Sequence, residues 1–272
     1  MRPTTLTAYL WEVRKLMSQK RTYIGIGAAA LLPVLFVTVM AFQKGGPYDA
    51  PLGHNLRHTG IVLALVVLTF ASRFGAQLVT ALVAGDIVAT EDSGGTLKMI
   101  LTRSLTRGQI LAGKTLATFT YVLVLLTALL ATGLVSGLIA WGFNPVTDLS
   151  FARLSAARAL GLTFGALGLF AVPLIAIAAF GIFLSVVSRN SAAAIVGTLV
   201  YELLQEALAG LVHLSFFQHY LLSSQFDGWH GLFQSPIYWT PVVRSLWVSA
   251  IFTAVPLAIA FTVFHRRDVT GD

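Results

Sequence analysis

The sequence predicts an all-α integral membrane protein with six transmembrane helices, and three observations predict it. The 272 residues are 56% hydrophobic and only 11% charged, whereas a soluble domain carries about a quarter charged residues. The apolar residues gather into six runs, each near the roughly 20 residues a helix needs to cross a bilayer core. The basic residues that give a formal charge of +7 flank those runs and form no single patch. That distribution is the mark of membrane topology, and it argues against nucleic-acid binding.

The whole chain reads as a single transmembrane domain. It opens on an amphipathic stretch, Thr5–Arg21, with Leu6, Tyr9, Leu10, Val13, Leu16 and Met17 at helical spacing on one face and Glu12, Arg14, Lys15 and Ser18 on others. A membrane span follows directly, so this stretch is expected to lie on the membrane surface and lead into the bilayer. The six spans are expected at about Tyr23–Phe42, Gly60–Ala84, Leu116–Trp141, Leu160–Val187, Ala192–Leu214 and Leu246–Phe264. The first ends in Ala41-Phe42-Gln43-Lys44, which is no signal-peptidase site, so it is expected to stay uncleaved. Pro33, Pro173 and Pro256 fall inside spans, where kinks are expected. Gly133 and Gly137, and Gly161 and Gly165, have the four-residue spacing of close helix contacts.

An even number of spans puts both termini on one side, and the basic residues choose the side. With the termini cytoplasmic, twelve basic residues are inside: Arg2, Arg14, Lys15, Lys20, Arg21, Lys98, Arg103, Arg107, Lys114, Arg189, Arg266 and Arg267. Five are outside: Lys44, Arg57, Arg153, Arg158 and Arg244. The expected location is the cell (inner or plasma) membrane with both ends in the cytoplasm.

The longest inner segment, about Gly85–Lys114, has one feature of a docking element. Gly94 and Gly95 break the chain, Thr96 can cap a short helix over Leu97–Leu101, and Leu97, Ile100 and Leu101 share a face. Either this face docks a soluble partner or it packs under the spans. A second short helix is expected from Thr106. The run Gly108–Thr115 fits the phosphate-loop pattern G-x-x-x-x-G-K-T. The pattern works only between a buried strand and a helix. The residues before it are no strand, so Lys114 is better read as an anchor at the inner end of the third span.

Charges inside spans are the other notable feature. Arg73 lies mid-span with Gln77 one turn on, and Glu202, Gln205 and Glu206 share one stretch of the fifth span. A charge at mid-bilayer costs at least about 2.5 kcal/mol, so Arg73 is expected to pair with Glu202 or Glu206. These residues line a polar path or clamp the helices together; the sequence leaves both open. The outer segment His213–Pro241 is rich in aromatics, with Asp227 its one clear charge, and reads as short helices dipping into the outer leaflet. The absence of cysteine excludes disulfides and thiolate sites. The six histidines form no metal pattern, and no nucleophilic or paired-carboxylate constellation marks an enzyme.

The layout resembles the membrane (permease) subunits of the type-2 ABC exporter family. The resemblance rests on the Leu6–Leu16 start, two spans, and then Glu91-x-x-x-Gly95-Thr96-Leu97-Lys98-x-x-Leu101. Thr102–Arg107 and Gln109–Lys114 continue it, and four more spans and a basic tail complete it. It implies a cytoplasmic coupling helix between spans 2 and 3, with Glu91, Gly95, Thr96, Leu97, Lys98, Ile100 and Leu101 coupling to separate ATPase subunits. It also implies a second permease copy, as homodimer or heterodimer, with ATP and magnesium on the partner and no cofactor in this chain. Ser104-Leu105-Thr106-Arg107 departs from the proline-containing loop common in the family. The residues leave other classes open: a secondary transporter driven through Glu202 or Glu206, an intramembrane enzyme, or a membrane anchor or assembly protein.

Overall fold

The computed structural model describes residues 4–42, 51–94, 105–211 and 215–266. Among them the chain is helical apart from one two-stranded hairpin. Ten α-helices follow in order: α1 (Thr5–Met17), α2 (Lys20–Phe42), α3 (Gly60–Arg73), α4 (Gly75–Asp86), α5 (Ala89–Ser93), α6 (Arg107–Trp141), α7 (Ala156–Ser188), α8 (Ser191–Leu211), α9 (Ser215–Tyr220) and α10 (Trp239–Arg266). A short 3₁₀ turn, Gly53–Asn55, precedes α3, and a longer 3₁₀ run, Ser223–Gly231, lies between α9 and α10.

Five helices are long and apolar enough to cross a membrane: α2, α6, α7, α8 and α10. The count becomes six if Gly60–Arg73 and Gly75–Ser93, bent by 47° at Phe74, make one crossing. The chain is thus an all-α protein built from membrane-length helices. Pro33, Pro173 and Pro256 sit inside α2, α7 and α10, and each helix runs on through its proline. The interruption falls instead at Phe74, where no proline stands and the dihedrals leave the helical region. Glycine follows at once, and the break frees Arg73 to turn toward the 3₁₀ run.

The expected short helix from Thr106 is not separate. Thr106 caps a single 35-residue helix, α6. Its hydroxyl accepts from the Gln109 amide, and the Gln109 side chain accepts from the Thr106 amide. This reciprocal cap satisfies two of the amides that every helix start leaves open. The phosphate-loop-like run Gly108–Thr115 therefore forms the first two turns of α6, where later amides are spent within the helix. Gly113 serves packing: a Cβ there would lie 2.7 Å from Ala8 Cβ and 2.8 Å from the Tyr9 nitrogen. α1 lies directly on α6 at this point.

The crossing of α3 and α6 is closer still. A Cβ on Gly60 would fall onto the Gly137 carbonyl, and one on Gly137 onto the Gly60 carbonyl. One turn along α6, Gly133 meets Ala64. The Gly133–Gly137 spacing is thus a helix contact. The second glycine pair differs, because Gly161 faces open space and Gly165 meets only Leu232.

Two ends of the bundle can be told apart. At one end, α1 lies against the start of α6, and Arg107 at that start donates to the His265 carbonyl of α10 at 3.1 Å. The first and last described helices therefore both reach the start of α6 there. At the other end lies the hairpin of Val146–Thr147 with Arg153–Leu154, held by Asn55, which exchanges two hydrogen bonds with Thr147 at 2.7 and 3.1 Å. His54 stacks on Phe151 there. The aromatic segment divides in two: Phe226, Trp229 and Phe233 are buried core, whereas Phe217, Tyr220, Tyr238 and Trp239 face outward.

Candidate functional site

The α1 end carries a buried junction of charges. α1 turns Ala8, Glu12 and Leu16 inward and leaves Leu6, Leu10, Trp11 and Met17 exposed. A soluble amphipathic helix buries its apolar face; here that face is split, with Leu16, Tyr9 and Val13 packed on the bundle and Leu6, Leu10 and Met17 turned outward. The charge turned inward is needed by Lys114, which is fully buried, at 0% exposure. Its ammonium donates to Glu12 Oε1 at 2.7 Å and to the Ile87 carbonyl at 3.1 Å, and pairs with Glu91 Oε2 at 2.7 Å. Lys15 also binds Glu91 and lies 4.0 Å from Glu12. Lys114 is therefore no snorkelling anchor. It is the centre of a four-charge cluster joining α1, α5 and α6, and a buried charge is tolerable only when paired in this way.

A second cluster lies beside it. Asp86, the last residue of α4, binds Arg21 of α2 and accepts hydrogen bonds from Thr90 and from Ser191 at the start of α8. The Ser185 hydroxyl of α7 accepts from the amides of Val88 and Ala89 at 3.2 and 2.9 Å. Every helix bordering α5 is thus tied to it or to its leading turn by polar contacts.

The 34 residues Gly60–Ser93 would span about 51 Å as helix at 1.5 Å per residue, well beyond a ~30 Å bilayer core. Glu91 lies at the far end of this length from Gly60. Glu91 is buried, with its carboxylate on Lys114 and Lys15. The other expected coupling residues, Gly95, Thr96, Leu97, Lys98, Ile100 and Leu101, lie outside the described residues.

The second set of site residues surrounds Arg73. From Gly60 to Arg73, α3 descends about 20 Å, so Arg73 sits deep in the bundle. Its Nη2 donates to Asp227 Oδ2 at 2.6 Å, and its Nη1 lies 3.6 Å from Glu206 Oε1. The expected pairing with Glu206 is present but is the longer of the two contacts. Asp227 stands out in the sequence as the one clear charge of the aromatic segment, but its pairing with Arg73 does not, because that depends on the 3₁₀ run carrying it down to Arg73. Together with Gln218, Ser223 and Ser224 these three charges line a polar cavity of about 370 Å³.

Glu202 is not part of the Arg73 cluster. With Gln77 and Gln205 it lines a smaller space on the other side of Ser223. Gln205 is fixed in place: its side-chain oxygen accepts from the Leu222 amide at 3.0 Å. The geometry predicts unequal coupling at Arg73. In a double-mutant cycle scored by thermal unfolding in detergent, Arg73→Gln with Asp227→Asn should show a larger interaction energy than Arg73→Gln with Glu206→Gln. Both should be modest, because all three side chains are partly exposed. Equal coupling would mean that Asp227 does not hold Arg73.

Among the described residues, no group of three His, Asp or Glu is placed to hold a metal ion. No curated protein matches the sequence. The family described as a protein of unknown function, DUF2705, matches residues 31–270, from within α2 to beyond α10, and the chain belongs to that family.

Proposed function

We propose that the chain is the membrane permease subunit of an ATP-driven ABC transporter, an exporter, working with separate cytoplasmic ATPase subunits. One observation carries this reading. The segment between the broken second crossing and α6 is clamped at its start, through Glu91, to Lys114 of α6 and to Lys15 of α1. A push that reaches Glu91 passes to α1 and α6 through these ion pairs.

In this reading the bundle makes six crossings, with α3 and α4 forming one broken span, and both termini are cytoplasmic. α1 rests on the inner leaflet with Leu6, Leu10, Trp11 and Met17 toward lipid. The ATPase is met by Leu97, Ile100 and Leu101. ATP and magnesium reside on that partner, and a second permease copy, the same or a related chain, completes the pore.

The test is purification of the full chain from mild detergent with mass spectrometry of what comes with it. A soluble ATPase should accompany the native chain, and charged substitutions at Leu97 and Leu101 should reduce its recovery at least tenfold. Recovery without an ATPase in several detergents would overturn the reading and favour a gradient-driven transporter.

A further inference from the structure

Glu202 has a position that the permease reading does not use. It projects from α8 into the bundle and is 8% exposed, and its Oε1 is buried with no hydrogen-bond partner among the described residues. The space it faces holds only about 10 Å³ and is walled by Gln77, Ile177, Tyr201, Gln205, Ser223 and Phe226. None of these is a cation, and Tyr201 is the only other titratable group among them.

The charges farther off do not supply a counter-ion. Arg73 is engaged by Asp227 and Glu206. His230 follows on the same 3₁₀ run as Asp227. Asp86 on α4 and Glu91 and Asp92 on α5 lie toward the far end of α8, about three turns away near Ser191. An ionised carboxylate without a partner in such surroundings costs far more than its neutral form. A space of this size is at the lower limit for one water molecule, so no metal ion with its ligands and no organic cation fits beside the carboxyl.

We propose that Glu202 is a proton-binding site, held as the neutral acid within the bundle and exchanging its proton with the polar cavity beside Arg73. Ser223 lines both spaces and forms the wall between them. The step is a simple transfer. The Glu202 O–H bond breaks, the proton passes to water entering from the cavity, and the carboxylate remains until a proton returns. The site stands independently of the permease reading, since it rests on α8 and the 3₁₀ run and not on the ATPase-facing end.

Infrared difference spectroscopy of the full chain in lipid discs tests it across a pH titration. A protonated-carboxyl carbonyl band should be present at neutral pH and fade as the pH rises. It should shift on δ-¹³C-glutamate labelling of the native chain. The chain has four glutamates, and Glu12 and Glu91 are ion-paired to Lys114, which leaves Glu202 and Glu206. Glu202→Gln should abolish the band and Glu206→Gln should keep it. If Glu202→Gln fails to fold, the isotope shift in the native chain with the band retained in Glu206→Gln decides the same point. No glutamate-shifted band at neutral pH, or a band lost with Glu206→Gln alone, overturns the proposal.

Discussion

Replacing Lys114 with methionine is expected to destabilise the chain by about 3 kcal/mol, the lower end of what breaking a buried ion pair costs. Methionine fills much of the volume, so the loss is electrostatic. Glu12 and Glu91 are left facing each other across α1 and α5 without the ammonium between them. Lys15 still reaches Glu91, which keeps the effect from the upper end of the range. The measurement is thermal unfolding in detergent followed by intrinsic fluorescence, alongside the yield of monodisperse protein. Removing all three charges together, with Glu12→Gln and Glu91→Gln added, should recover most of the loss, because no buried charge then lacks a partner. The triple variant has a second use. Under the permease proposal it should fold and still bind the ATPase, yet fail to transmit its motion, which separates a part in coupling from the part in stability.

The second large effect is at the α3–α6 crossing. Gly60→Ala or Gly137→Ala places a methyl group on the opposing backbone. No side chain can rotate away from it, so the helices must separate and empty the Ala64–Gly133 contact beside it. The expected cost is about 3 kcal/mol, at the upper end of ordinary overpacking, and the double variant should not assemble. Gly161→Ala is the matched control. Its Cβ meets nothing within 4 Å, and alanine is the better helix former by up to about 1 kcal/mol, so stability should hold or rise. Equal losses at Gly60 and Gly161 would show that the crossing is not where the helices touch.

These contrasts show how far the sequence can be read. The membrane-length helices were legible because hydrophobicity over twenty residues is a local property. The four-residue glycine spacing was legible only as a possibility: Gly133–Gly137 and Gly161–Gly165 look alike, and only the neighbouring helix tells them apart. Glu12 and Lys114 were each visible, but as a residue on a polar face and as an anchor. Their pairing depends on α1 lying across α6 at Ala8 and Gly113, which no local pattern encodes. The small residues at those two positions, one beside Lys114 and the other one turn before Glu12, were the available signal. The break at Phe74 was missed because prolines were the expected breakers, while the chain broke where Arg73 turns to Asp227. Asp227 itself lay in a segment read as an aromatic belt, and its value as a partner appeared only once the 3₁₀ run was seen to enter the bundle.

Under the permease proposal, ATP used by a partner moves this chain from its α1 end. The chain has no cysteine, so two introduced cysteines, at exposed Leu10 on α1 and exposed Leu203 on α8, can be spin-labelled without background. Their separation is then measured by pulsed electron paramagnetic resonance in the complex recovered with the native chain, reconstituted in lipid discs. ATP with magnesium should shift the distance distribution, and the shift should disappear when the Glu12, Glu91 and Lys114 charges are removed together. An identical distribution with and without ATP, in a complex that hydrolyses it, would overturn the permease proposal.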